Sequence, residues 1–321
     1  MDRKTLREFT HKADSFLHLD NNNYKQWVFR YTFLELEKDL GAQGDITTKS
    51  VFKEKKQVKA KIIAKQDGVF AGREEVQYFL VDADPKFRPS LKSQFKIDFR
   101  IEDGQEFKKG DVLMEIEGDV SDLLAVERVL LNLIMRMSGV ATFTRKIVKM
   151  VEEYHVLVTP TRKALWGLLD KKAAALGGGG THRLCLADAI LVKDTHLDAL
   201  GRNFDLVLAN IKDSNFEARF IEIEVESLEE VMELGPKFVE FLKEYKSVGV
   251  ILLDNMTAEQ ITEAMVEVKK SDFYDKLLFE VSGGINEENV LKYAKTGADI
   301  ISMGSLTSGV KSVDMSLKIA V

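Results

Sequence analysis

The second half of this chain carries six short aliphatic runs, at 156–158, 189–192, 220–225, 248–253, 277–281 and 300–303, separated by stretches long enough for a helix. Antiparallel strands can turn back through a hairpin, but parallel strands need a crossover of a dozen residues or more, so this spacing predicts βαβ units and a parallel sheet. Closure of such a sheet predicts an α/β barrel, whose ligands bind on the loops after the strands' C-terminal ends. The polar residues of this half fall on those loops.

The first part reads differently. Leu6, Phe9, Ala13, Phe16 and Leu17 repeat near the helical period and predict a helix over 5–19, stopped by Asn21-Asn22-Asn23; a second helix is expected over 24–39. Past Gly44-Asp45 the period becomes two: Val58, Ala60, Ile62 and Ala64 alternate with polar neighbours, as do Phe95, Ile97, Phe99 and Ile101, then Val112, Met114 and Ile116. This predicts antiparallel strands in an α+β region. A helical face returns over 121–137 with Leu124, Val126, Leu130, Leu131, Leu133, Ile134 and Met137, interrupted by Arg128, whose charge would be costly to bury unpaired. The expected division is an extra N-terminal helix over 1–22, an α+β domain over 23–137 and an α/β-barrel catalytic domain over 138–321.

A net charge of −6 argues against nucleic-acid or anionic-membrane partners, so an anionic ligand would need a local basic cluster. Cys185 is the single cysteine, which excludes an intrachain disulfide and a zinc site built from thiolates. With no signal-like or membrane-spanning run, a cytoplasmic protein is expected.

That basic cluster is present on the strand-end loops. Arg162 and Lys163 follow the first run, His182 and Arg183 follow Gly177-Gly178-Gly179-Gly180, and Lys193 follows the second run. Four consecutive glycines are too flexible for an element interior, and are read either as a hinge or as backbone brought close to a ligand. Glu222, Glu224 and Glu226 share one strand parity, and Asp254 ends an aliphatic strand, where an acid in a barrel is usually a site residue. Ser282-Gly283-Gly284 and Gly304 end the last two strands, the usual place of a phosphate pocket.

With these residues in order, the chain resembles the quinolinate phosphoribosyltransferase family, also called carboxylating nicotinate-nucleotide pyrophosphorylases. The likeness runs from Gly44-Asp45-Ile46-Thr47-Thr48 through Glu127-Arg128, Thr161-Arg162-Lys163, Gly178-Gly179-Gly180, His182-Arg183-Leu184, Lys193-Asp194, Glu224-Val225, Leu253-Asp254-Asn255 and Ser282-Gly283-Gly284-Ile285 to Gly304 with Leu306-Thr307. It implies an N-terminal α+β domain, an open barrel of parallel strands and a homodimer or higher homo-oligomer with shared active sites. It further implies that Arg162, His182, Arg183 and Lys193, with Arg128 from the neighbouring subunit, hold the quinolinate carboxylates. Lys163 would contact phosphoribosyl pyrophosphate, and Glu224 and Asp254 would bind ribose hydroxyls or Mg²⁺ and stabilise charge at the anomeric carbon. Ser282, Gly283, Gly284 and Gly304 would cradle the 5-phosphate.

The sequence departs from the family pattern at Ala164-Leu165-Trp166-Gly167-Leu168-Leu169, where Thr-Pro-Gly-Leu-Arg is usual, and at Thr181, Thr195 and Ser308. The nearest rival reading is a paralogue of the same fold acting on another pyridine or base, including the molybdenum-transport-associated relatives. The fold alone also admits a Schiff-base lyase using Lys163 or Lys193. A binding or scaffold protein would be expected to have lost the charged residues, which are retained here.

Overall fold

Alternation sets the first sheet. Ala60, Ile62 and Ala64 of β1 (Gln57–Ala64) are buried while Lys59 is exposed. A small ribbon pairs β2 (Gly68–Val69) with β4 (Glu106–Phe107), and β3 (Lys96–Phe99) lies beside β5 (Val112–Asp119). β5 pairs antiparallel with β1, setting Ile62 opposite Met114 and Ala60 opposite Ile116, so the apolar sets of both strands share one face. The computed structural model describes residues 2–88, 91, 93–214 and 216–320; Met1, at the start of the expected first segment, and Val321, at the end of the last, lie outside them.

The six aliphatic runs form β6 (Leu157–Pro160), β7 (Ile190–Val192), β8 (Ile221–Val225), β9 (Gly249–Asp254), β10 (Leu277–Ser282) and β11 (Ile300–Met303). They make one parallel sheet in the order β6-β11-β10-β9-β8-β7. Among the described residues the edge strands β6 and β7 do not pair with each other. Residues 179–183 lie against both edges: Gly180 N–H donates to Val158 O at 2.8 Å, and Arg183 Nη1 donates to Ala189 O at 3.2 Å. The expected open α/β architecture is therefore present.

A last strand, β12 (Met315–Ala320), was not expected. It pairs antiparallel with the free side of β1, placing Leu317 opposite Ile62, and completes the order β12-β1-β5-β3. The compact units are discontinuous in sequence. One compact unit comprises Met1–Ala13, Lys146–Ala164 and Gly179–Ser308, and holds the parallel sheet; the other comprises Asp14–Arg145, Leu165–Gly178 and Gly309–Val321, and holds the antiparallel one. The expected cut at 137/138 falls inside a single helix, Val120–Val151, whose 32 residues give no backbone break there.

Two further expectations are corrected. The helix over 5–19 is a nine-residue α1 (Arg3–His11) followed by a 3₁₀ turn, Asp14–Phe16, because Lys12 is extended. Phe9 and Phe16, assigned to its apolar face, are about half exposed, whereas His11 is buried. The asparagine run begins the next helix: Asn21 Oδ1 accepts from the N–H groups of Asn23 and Tyr24, capping Asn22–Phe29, and the helical path continues through a wider turn, Arg30–Leu34, to Leu40. In the long helix, Val126, Leu130, Leu133, Ile134 and Met137 are buried as expected, but Arg128 is exposed. Burial of its charge therefore cannot be the reason to expect a dimer.

Candidate active site

Strand register builds the site. Pro160 pairs with Met303, Ser282 with Asp254, and Val225 with Leu253, so the four strands β6, β11, β10 and β9, together with β8, end at closely matched levels. The loops carrying Arg162, Lys163, Gly304, Gly283, Gly284 and Asp254 consequently leave one edge of the sheet, joined by Lys193 beyond β7, whose Val192 pairs with Ile223.

Lys163 is fixed through its backbone. Its N–H donates to Thr161 Oγ1 at 3.1 Å, and its carbonyl accepts from Thr307 Oγ1 at 2.8 Å. Its side chain runs over Gly304, where an added β-carbon would lie 3.2 Å from Lys163 Cδ. Gly283 has a φ of +100° and sits so near Asn255 N that a β-carbon would come within 2.7 Å, while Gly284, φ +61°, has open space beside it. Lys193 starts a helix, Asp194–Ala199, and its N–H donates to His196 Nδ1.

The acids lie among these cations. Asp194 N–H donates to Glu224 at 3.0 Å. Burial raises the Glu224 carboxyl against that bond, and Asp254 adds to the rise while Lys193 opposes it. Burial also raises Asp254, with Asp194 and Glu226 adding to it and Lys163 and Lys193 opposing. Along β8 the three same-parity glutamates divide by depth. Glu222 is fully buried, Glu224 is nearly so, and Glu226 is exposed and bonded to Arg202 at 3.1 Å.

Arg183 is 5% exposed, and its Nε has no hydrogen-bond partner among the described residues. Burial lowers the guanidinium's proton affinity, and the neighbouring Arg162 lowers it further. Two guanidiniums that repel each other, one of them buried with an open donor, are suited to an anion bearing more than one carboxylate or phosphate oxygen. His182 turns the other way: its Nδ1 accepts from Arg183 N–H at 2.6 Å, and its Nε2 faces Glu222 and Glu280 at 3.3 Å each. Arg128 lies in the antiparallel unit, exposed on the long helix.

One glycine of the run is explained by packing. A β-carbon on Gly180 would lie 2.6 Å from His11 O, so that glycine admits α1 rather than a ligand. Sequence reasoning missed His11 and Glu280. Glu280 left a signal, a lone acid within the aliphatic run of β10, whereas His11 left none on an otherwise amphipathic helix.

The substituted loop is held by aromatic stacking within the antiparallel unit. Trp166 stacks on Tyr31 at 4.5 Å between ring centroids, Tyr31 stacks on Trp27, and Tyr31 OH donates to Leu165 O at 3.0 Å. Asp170, fully buried, accepts Trp166 N–H and a bidentate pair of bonds from Arg136 at 2.8 and 2.9 Å.

Comparison with known proteins shows the family. The family model for the quinolinate phosphoribosyl transferase N-terminal domain matches residues 45–138, and that for the C-terminal domain matches residues 140–318. A probable carboxylating nicotinate-nucleotide pyrophosphorylase of Methanocaldococcus jannaschii is 39% identical over 303 residues, covering 92% of this chain and 98% of the relative. A similarly named protein of Bacillus subtilis is 33% identical over 302 residues, covering 91% and 92%. The solved nicotinate-nucleotide pyrophosphorylase of Francisella tularensis superposes with a TM-score of 0.76 at 29% identity, covering 92% of this chain and 96% of that one. The chain belongs to the quinolinate phosphoribosyl transferase family.

Proposed function

We propose that this protein joins quinolinate to 5-phosphoribosyl-1-pyrophosphate, forming nicotinate mononucleotide, pyrophosphate and carbon dioxide for NAD synthesis. The observation that carries this reading is the buried, half-satisfied Arg183 beside Arg162, on the same edge of the sheet as Lys163, Lys193, Glu224 and Asp254. Arg162, Arg183 and Lys193 hold the two carboxylates of quinolinate, and His182 orients Arg183 through its backbone N–H. Lys163 contacts the phosphoribosyl pyrophosphate, whose 5-phosphate lies at Ser282, Gly283, Gly284 and Gly304.

Departure of pyrophosphate leaves positive charge at the anomeric carbon, which the carboxylates of Glu224 and Asp254 stabilise. The pyridine nitrogen forms the new bond to that carbon. The resulting pyridinium withdraws electrons from the adjacent ring carbon, so the C–CO₂ bond breaks, carbon dioxide leaves and the carbon takes a proton. Positioning and electrostatics are the protein's part.

Glu224, Asp254 and the neighbouring Asp194 are hard oxygen donors, and Asp194 adds to the rise of both other carboxyls, a donor set that fits Mg²⁺. Bound with the diphosphate, Mg²⁺ supplies neutralisation of the leaving group's charge. A homodimer in which Arg128 serves the neighbouring site, and a cytoplasmic location, belong to the same reading. No helix among the described residues is long and apolar enough to cross a membrane.

The test is turnover of purified protein with quinolinate, nicotinate or nicotinamide, each with phosphoribosyl pyrophosphate and Mg²⁺. Quinolinate is expected to be preferred, with carbon dioxide and pyrophosphate released in equal amounts. Equal turnover of nicotinate would sink the reading.

A further inference from the structure

Four buried ionisable side chains meet inside the parallel-sheet unit. His11 Nε2 lies 2.7 Å from Glu280 Oε2, and His182 Nε2 lies 3.3 Å from both Glu280 Oε1 and Glu222 Oε2. The His11 contact is close without meeting hydrogen-bond geometry. Burial pushes Glu222 well above the usual carboxyl range, and the charge of Glu280 adds to the rise. Burial opposes ionisation of Glu280 as well, but the imidazoles of His182 and His11 hold it below that range.

Two imidazoles and two carboxylates, with donor atoms all within 4.8 Å of one another, have the composition of a zinc site. The hydrogen bonding argues against one. Because Arg183 N–H donates to His182 Nδ1 at 2.6 Å, the neutral ring carries its proton on Nε2 and offers a metal no lone pair there. The same proton faces Glu280 and Glu222.

Helix α1 brings His11 to this cluster from the N-terminal ends of the parallel strands. Leu6 packs on the layer of Ala189, Phe220, Val250, Leu278 and Ile300. Arg3 donates from Nε to Asp299 at 2.9 Å and from Nη1 to Tyr274 O at 2.6 Å, and Arg7 donates to His155 O. At the helix end the backbone of His11 is bolted to the glycine loop: its carbonyl accepts from the N–H groups of Thr181 at 2.6 Å and His182 at 3.2 Å, and Ala13 N–H donates to Thr181 Oγ1 at 2.9 Å. His182 is held at a φ of +54°, a left-handed conformation that needs such support.

We infer that His11, acting through Glu280, is a positioning residue for His182 and Arg183, so that α1 is part of the scaffold of the dicarboxylate site. The chain of contacts runs from α1 to Glu280, to His182 Nε2, and from His182 Nδ1 to the N–H of Arg183. The inference rests on the reading of Arg183 as a carboxylate ligand.

The experiment measures binding of phthalate, which has quinolinate's two adjacent carboxylates but no ring nitrogen, and separately of phosphoribosyl pyrophosphate, to full-length His11→Leu and His11→Gln. His11→Leu is expected to weaken phthalate about ten-fold, with phosphoribosyl pyrophosphate affinity changed less than about two-fold. His11→Gln, whose side-chain amide can donate to Glu280, should recover most of the loss. Nitrogen NMR of the unaltered protein should show His182 protonated on Nε2, a result that does not depend on whether His11→Leu folds. Unchanged phthalate affinity in folded His11→Leu, equal weakening of both ligands, a His182 proton on Nδ1, or one divalent metal per chain released by His11→Leu would each overturn the inference. If the unaltered protein bound no dicarboxylate at all, the substrate reading would fail instead, and the NMR result would still decide the His182 arrangement.

Discussion

Gly180 and His11 approach so closely that the glycine's missing β-carbon would sit 2.6 Å from the histidine's carbonyl oxygen and 2.7 Å from Thr159 Cγ2. One of these neighbours is backbone, held by the N–H groups of Thr181 and His182, so it cannot yield cheaply. Gly180→Ala is therefore expected to cost about 1–3 kcal/mol, as overpacking does, and to lower Tm by roughly 2–10 °C in a thermal melt. An unchanged Tm would show that the loop and α1 separate without cost.

The guanidiniums of Arg162 and Arg183 should matter more for the dicarboxylate than for the sugar phosphate. Replacing either by alanine is expected to raise the quinolinate KM and to cost roughly 2–4 kcal/mol in kcat/KM, by analogy with removing one partner of a buried charge pair. Steady-state kinetics with each substrate varied in turn makes the check, and an unaltered quinolinate KM would remove the residue from the site.

In the antiparallel unit Asp103 Oδ1 accepts the N–H groups of Gly72 and Arg73 at 2.8 and 3.1 Å. Burial, with Glu75 adding to it, raises its carboxyl from 3.8 to about 6 despite those bonds. The native state thus binds this proton more tightly than the unfolded chain does, and the resulting stability is complete below pH 4 and is lost as pH rises through 6. Asp103→Asn keeps the accepting oxygen and removes the ionisation. Its stability relative to the unaltered protein should grow between pH 4 and pH 7 by up to about 3 kcal/mol, a rise of about two pKa units at 1.36 kcal/mol each. Urea unfolding at both pH values measures this, and a pH-independent difference would refute it.

Arg128 is exposed on the single chain, so its role in a partner's site has to be tested by complementation rather than inferred from burial. Arg128→Ala and Lys163→Ala should each be inactive alone. Mixed and allowed to exchange, they should form a heterodimer with one intact site and about half the wild-type activity per dimer. A well-mixed heterodimer with no recovered activity would show that Arg128 does not serve the neighbouring site.

The parallel strands were legible because each is a continuous aliphatic run, and β1, β3 and β5 because their apolar residues alternate; both patterns are local and survive in one dimension. Arg162, Lys163, Lys193 and Asp254 of the candidate site were legible for the same reason, since each lies at or just beyond the end of a strand that could be located. Matching of those ends, Pro160 beside Met303 and Ser282 beside Asp254, was decided by register. Tertiary structure alone gave β12 its place, because Met315–Ala320 is specified by the free edge of β1. It alone turned His182 inward, placed the burial of Gly180 against a helix rather than a ligand, and left Arg128 outside the buried stripe. These outcomes depend on which groups, distant in sequence, meet at hydrogen-bond or van der Waals distance. Periodicity carries no information about that.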